Sequence, residues 1–139
     1  MNPSTHKLVA ELDVLYGLYQ MAVDLTKRIA PDDEDKTRRV LEARQKILDH
    51  TASAAGEVSA LLDAFRAEKL IPSNERALVD EKRNLILDMG ARMQAADHQM
   101  LRQMHAKLSD IRRELAGQTE RKNALKAYIQ APQAQMLVH

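Results

Sequence analysis

Cysteine and tryptophan are missing from this 139-residue chain, phenylalanine occurs once, tyrosine three times, and proline and glycine four times each. Without cysteine there is no disulfide framework, no thiolate metal site and no thiol nucleophile, a composition that fits a reducing compartment. The few aromatic rings leave little material for stacking nucleobases and argue against a compact β-rich core. No window approaches the roughly 20 apolar residues that a bilayer span requires, so no membrane insertion is expected. Met1 to Lys7 lack the basic patch and apolar stretch of a signal peptide. These features predict a cytoplasmic protein. Neither sign of charge dominates, the formal net charge being +1. Acids and bases interleave, as in Asp80-Glu81-Lys82-Arg83 and Asp110-Ile111-Arg112-Arg113-Glu114. That mixture makes a solvated helix surface with pairs one turn apart, not the concentrated basic face with which nucleic-acid binders displace counterions. A Gly-rich phosphate loop, a nucleophile elbow and a paired-carboxylate cleft are also absent. The chain is therefore expected to be neither an enzyme nor a cofactor protein.

What the sequence does contain is helical periodicity. Pro3, Pro31, Pro72 and Pro132 all stand near expected helix ends, where a missing N–H does least harm. β-Branched residues never alternate over a strand length, so no sheet is expected. The first helix spans about residues 4–29, with Asn2 or Ser4 able to cap it. Its stripe, Leu8, Leu12, Leu15, Tyr19, Ala22, Thr26 and Ile29, alternates steps of four and three. Val9, Tyr16, Leu18, Val23 and Leu25 widen that stripe, which suits contact with more than one neighbour.

After Pro31 the acids Asp32, Asp33, Glu34 and Asp35 bunch together. Acids complement the dipole at a helix N-terminus. A calcium loop would need ligands spread over about 12 residues around a central glycine, and this stretch has neither. The second helix, about residues 32–68, repeats Leu41, Leu48, Ala55 and Leu62 every seven residues. Val40, Ile47, Ala54, Val58, Leu61 and Phe65 accompany them. Small residues from Thr51 to Ala60, with Gly56 among them, permit close helix approach or mark a softer stretch. A turn at residues 69–74 contains Pro72, with Ser73 or Asn74 as the expected cap. The third helix then runs to about Gln130. Its first stripe is Leu78, Leu85, Ile86, Met89, Met93, Ala96 and Met100, and its second Met104, Leu108, Ile111, Leu115, Leu125 and Ile129. At the α-helical rise these helices would be roughly 55 and 85 Å long.

The expected fold is therefore all-α: an antiparallel helical hairpin or three-helix bundle with two long amphipathic helices and a shorter N-terminal one. Residues 1–132 would form a single helical bundle domain and 133–139 a mobile C-terminal tail. The third helix is too long for either earlier helix to cover, so apolar residues near its end should lack a partner within the chain. Such patches on soluble proteins mark binding sites. Met89, Met93, Met100 and Met104 fit two roles, core filling or an adaptable binding face. His98 and His105, two turns or about 10 Å apart, cannot share a metal ion. The Glu-x-x-His repeats of di-iron bundles do not occur, and no metal site is expected.

Three stretches resemble the FlgN and FliT type of flagellar export chaperone. Leu8-Val9-Ala10-Glu11-Leu12 is similar to the leucine-rich opening helix of that family. The segment from Asp35 to Leu48, with Arg39-Val40-Leu41 and Lys46-Ile47-Leu48, is similar to its second-helix pattern of a base before an apolar pair. Arg121-Lys122-Asn123-Ala124-Leu125-Lys126-Ala127-Tyr128 is similar to the asparagine-leucine-tyrosine trace that closes its last helix. The family's usual glycine after that tyrosine is replaced by Ile129-Gln130-Ala131-Pro132. The resemblance spans about residues 5–130 as a periodic pattern. It implies a cytoplasmic helical bundle that binds amphipathic helices of flagellar secretion substrates, the hook-associated proteins, through its C-terminal helix. Carried onto this chain, it assigns client contact to Leu108, Ile111, Leu115, Leu125, Tyr128 and Ile129. The competing expectation is a self-associating coiled-coil scaffold, a homodimer in which a symmetry mate completes the third helix.

Overall fold

The computed structural model describes residues 1–138, with side chains through residue 130. The segment 133–139, expected as a mobile tail, lies outside the described side chains. Three helices follow one another: α1 (Pro3–Lys27), α2 (Glu34–Ala67) and α3 (Ser73–Val138), with no strand among the described residues. The fold is all-α, and α1 is the shortest helix. The chain divides into two compact units, Met1–Leu101 and Arg102–His139.

Local chemistry sets the helix ends. Asn2 caps α1: its side chain accepts the Ser4 N–H at 2.9 Å, and Pro3 fills the first helical position, where no N–H is needed. At the other end Arg28 donates its N–H back to the Leu25 carbonyl at 3.0 Å and Ile29 donates its own to Thr26 at 3.3 Å. Helical geometry therefore stops two residues short of the expected Ile29, although Ile29 remains buried. Pro31 breaks the chain, since the next helix begins only at Glu34. Asp33 is its cap, accepting the Lys36 N–H at 3.0 Å, and Glu34 and Asp35 occupy the first turn. The acidic run thus acts as an N-terminus, as its position after a proline implies. The third helix begins with Ser73 already inside it and the Arg76 N–H on the Pro72 carbonyl. Pro72, and not Ser73 or Asn74, stands at the cap.

The first unit is a three-helix bundle. Leu8, Leu12 and Leu15 of α1 meet Ala54, Val58 and Phe65 of α2, with Ile71 from the turn and Val79 from α3. A second cluster joins Val23 to Met89 and Ala96, with Tyr16, Tyr19 and Met93 packed against it. Within α1, Leu8, Leu12, Leu15, Ala22 and Thr26 of the expected stripe are buried and Tyr19 is half-buried. In α3 the core position is Val79, not its neighbour Leu78, and Leu85, expected in the same stripe, is 42% exposed. An α-helix advances about 100° per residue, so adjacent apolar residues such as Leu78 and Val79 compete for one inward direction. The second helix also turns differently from its heptad of leucines. Its buried residues are Val40, Thr51, Ala54, Val58 and Phe65, while Leu48 and Leu62 lie half-buried. Thr51 reaches the interior because its hydroxyl donates to the Ile47 carbonyl at 2.8 Å, leaving only its methyl to pack; Thr26 does the same to Ala22. Gly56 is not a point of close approach, since a Cβ built there would meet nothing within 4 Å.

Polar ties close both ends of this bundle. At one end the Asn2 N–H donates to Glu75 Oε1 at 2.7 Å, and the Ser4 hydroxyl donates to Glu68 Oε1 at 2.9 Å. The start of α1 is thereby fixed to the end of α2 and the first turn of α3. At the other end Arg44 of α2 donates to Thr26 Oγ1 of α1 at 2.8 Å and to Asp97 Oδ1 of α3 at 2.6 Å. These two sets of contacts make α2 antiparallel to its neighbours and α1 parallel to this part of α3. Lys82 adds a further α1–α3 tie, to Asp13 at 2.8 Å. The Asp13 hydrogen bond, reinforced by its charge and that of Glu81 and opposed by slight desolvation, raises the Lys82 pKa above the usual 10.5.

Candidate partner-binding surface

In the second unit no described residue is buried from Arg102 to Gln130. This helical segment nevertheless carries large apolar side chains in a regular order. Met104, Leu108, Ile111 and Leu115 succeed one another by four, three and four residues, and continuing the alternation reaches Gln118, Lys122, Leu125 and Ile129. This 3.5-residue average period lines one face of a helix, and it is the seam pattern of helices that pack side by side. Leu108, Ile111, Leu115, Leu125, Tyr128 and Ile129, the six residues singled out from the sequence, are 41–76% exposed. All eight seam positions are exposed; Gln118 and Lys122 are the polar pair in the middle.

The electrostatic surround of the seam is asymmetric. One edge carries His105, Arg112, Thr119 and Lys126, and the other Lys107, Glu114, Arg121 and Tyr128. The remaining acids, Asp110 and Glu120, fall on the outer face, where Asp110 pairs with Arg113 at 3.5 Å. Basic side chains thus border the apolar stripe while carboxylates are mostly turned away from it. This pattern was not legible in the net charge, because it appears only when residues are sorted by face. Lys122, Gln118 and Met104 also stand at seam positions, beyond the six apolar residues expected to meet the client. The signal for them is the unbroken alternation of fours and threes.

The four methionines divide between two roles. Met89 is buried in the bundle, Met93 packs against the same cluster, Met100 is half-buried and Met104 is exposed at the head of the seam. Core filling explains the first two, and only Met104 belongs with the exposed stripe. His98 and His105 are both exposed, and among the described residues no group of three or more His, Asp or Glu side chains could hold a metal ion. An open cleft of about 210 Å³ in the bundle is lined by Leu62, Phe65, Arg66, Arg76, Val79, Asp80 and Arg83. Its three arginines and one aspartate include no nucleophile with an adjacent base. No described helix is long and apolar enough to cross a membrane. Comparisons of the chain with protein-family models, with curated proteins and with solved structures find no match.

Proposed function

We propose that this protein is a cytoplasmic, non-enzymatic export chaperone of the FlgN and FliT kind, which holds an amphipathic helix of a flagellar secretion substrate against its C-terminal stripe. The observation that carries this reading is the exposure of Leu108, Ile111, Leu115, Leu125, Tyr128 and Ile129 along one helix face. Covering the open half of each such side chain gains about 1 kcal/mol at about 25 cal/mol per Å². Six of them, with a comparable area on the partner, give a gross gain of roughly 10 kcal/mol or slightly more. Association costs at least about 4 kcal/mol of lost freedom, which leaves a dissociation constant of the order of tens of micromolar. A grip of that strength is reversible, as a client handed on to an export machine requires, and needs no cofactor. The bundle of the first unit supplies a folded anchor for the chain.

The test is calorimetric binding of the full chain to the purified terminal helix of a hook-associated protein. Leu115→Ser, Leu125→Ser and Ile129→Ser should each weaken binding severalfold, and a chain ending after Gly117 should not bind. Undiminished affinity in the shortened chain would overturn the assignment. A protein that sediments as a tight dimer through the same stripe would instead be the self-associating scaffold.

A further inference from the structure

The chemistry of the stripe also specifies its occupant. In the bundle, the seam of α2 runs Val40, Arg44, Ile47, Thr51, Ala54 and Val58, again by fours and threes. The cation at that seam, Arg44, is only 15% exposed and is met by the Asp97 carboxylate at 2.6 Å. Lys122 holds the corresponding kind of position in the second unit. The residues three and four away from it are Gln118, Thr119, Leu125 and Lys126, none of them an acid. A molecule that covers this stripe therefore covers a lysine that its own helix does not neutralise, and burying an ammonium without a counter-charge is costly.

A second copy of the chain is a poor cover. Two parallel copies would set the residue on one edge against the residue five positions later on the other edge. Arg121 would then face Lys126, and Lys107 would face Arg112, each contact occurring twice by symmetry. Two antiparallel copies in full overlap bring Glu114 to Arg121, a favourable pair. They also set Lys122 against Ile111 and Gln118 against Leu115, so the ammonium is buried against a hydrocarbon. Both arrangements leave a charge conflict that an acidic partner removes.

Resting on the reading of the stripe as a client site, we propose that its partner is an amphipathic helix of another protein with glutamates or aspartates bordering its apolar face and a carboxylate placed to meet Lys122. Arg112, Arg121 and Lys126 select that helix by charge, and Leu108, Ile111, Leu115, Leu125 and Ile129 hold it by burial.

Two synthetic helical peptides of about four heptads test this, sharing one leucine–isoleucine seam. One carries glutamate along both edges and opposite Lys122; the other carries lysine at the same places. Each is titrated into the full chain and followed by fluorescence anisotropy. An exposed opposite-charge pair is worth roughly a twofold change in affinity, so four pairs make the glutamate peptide bind roughly tenfold tighter or more at low salt. That advantage shrinks at about 0.5 M salt, where the screening length falls to a few ångströms. The triple variant Arg121→Glu, Lys122→Glu, Lys126→Glu should reverse the order of the two peptides, whereas Leu125→Ser should weaken both. Equal affinities, or preference for the lysine peptide, overturn the charge selection and leave the stripe as a binding face. Binding of neither peptide overturns the selection and the client reading together, whether or not sedimentation finds a dimer.

Discussion

Exchanging Leu12 and Leu125 for alanine, one at a time, should have opposite consequences although both are leucines at seam positions. Leu12 is 2% exposed and belongs to the main core cluster. Removing its side chain forfeits the transfer term and leaves a cavity, about 3–4 kcal/mol by analogy with buried leucines elsewhere. In a folded unit of about 100 residues that lowers the melting temperature by roughly 12 °C or more. Leu125 is 59% exposed, so truncation loses well under about 1 kcal/mol of burial, and the better helix propensity of alanine returns about 0.2 kcal/mol. Its variant should melt within about 2 °C of the parent. Urea denaturation followed by circular dichroism, run at low and high micromolar protein, measures both. A loss above about 2 kcal/mol for Leu125→Ala, growing with protein concentration, would mean that a second copy already buries the stripe.

Three further outcomes follow from the bundle and its helices. In a double-mutant cycle, Arg44→Met and Asp97→Asn should couple by about 1 kcal/mol, because their hydrogen bond is charge-assisted and largely shielded by neighbouring side chains; a coupling near zero would reduce it to an ordinary surface pair. Gly117→Ala should raise the helicity of the second unit and gain up to about 1 kcal/mol in that helix, since a Cβ there meets nothing within 4 Å; reduced ellipticity would show a hidden need for glycine. The Lys82–Asp13 tie raises the lysine pKa, so its stabilisation is complete below the unfolded lysine value and disappears as pH rises through the higher folded value. The gap between the parent and Asp13→Asn should therefore hold steady through neutral pH and close as the solution becomes alkaline, as read from urea midpoints; a gap that widened there would contradict the assigned direction.

The starts of α1 and α2 were legible because their chemistry is local. Asn2-Pro3 and the run from Pro31 to Asp35 state where helices start and stop without reference to any distant residue. The rotation of each helix about its axis was less legible. Leucine at position 48 and valine at 58 are both apolar, and which one faces inward is decided by neighbours far away in sequence. Val79 displaced Leu78 for that reason, and Thr51 became a core residue only because its hydroxyl folds back onto Ile47. The Arg44–Asp97 tie spans 53 positions, and its only sequence trace is a cation standing at a seam position. That same trace at Lys122 directs attention to a counter-charge on another molecule. The six apolar residues expected to meet a partner are exposed, as are Leu87, Leu101 and Met104 of the same helix, a placement that periodicity could indicate only through the length of the third helix.

The account stands on the stripe being bare in the free protein and covered in the complex. Because the chain has no cysteine, single replacements Leu115→Cys and Leu125→Cys give unique thiols, with Leu12→Cys as a buried control. Their maleimide labelling rates measure that accessibility directly. Leu115→Cys and Leu125→Cys should react as fast as a free peptide thiol at every protein concentration and slow when the acid-edged helix is added. Slow labelling of both in the protein alone, matching the Leu12→Cys control, would contradict it.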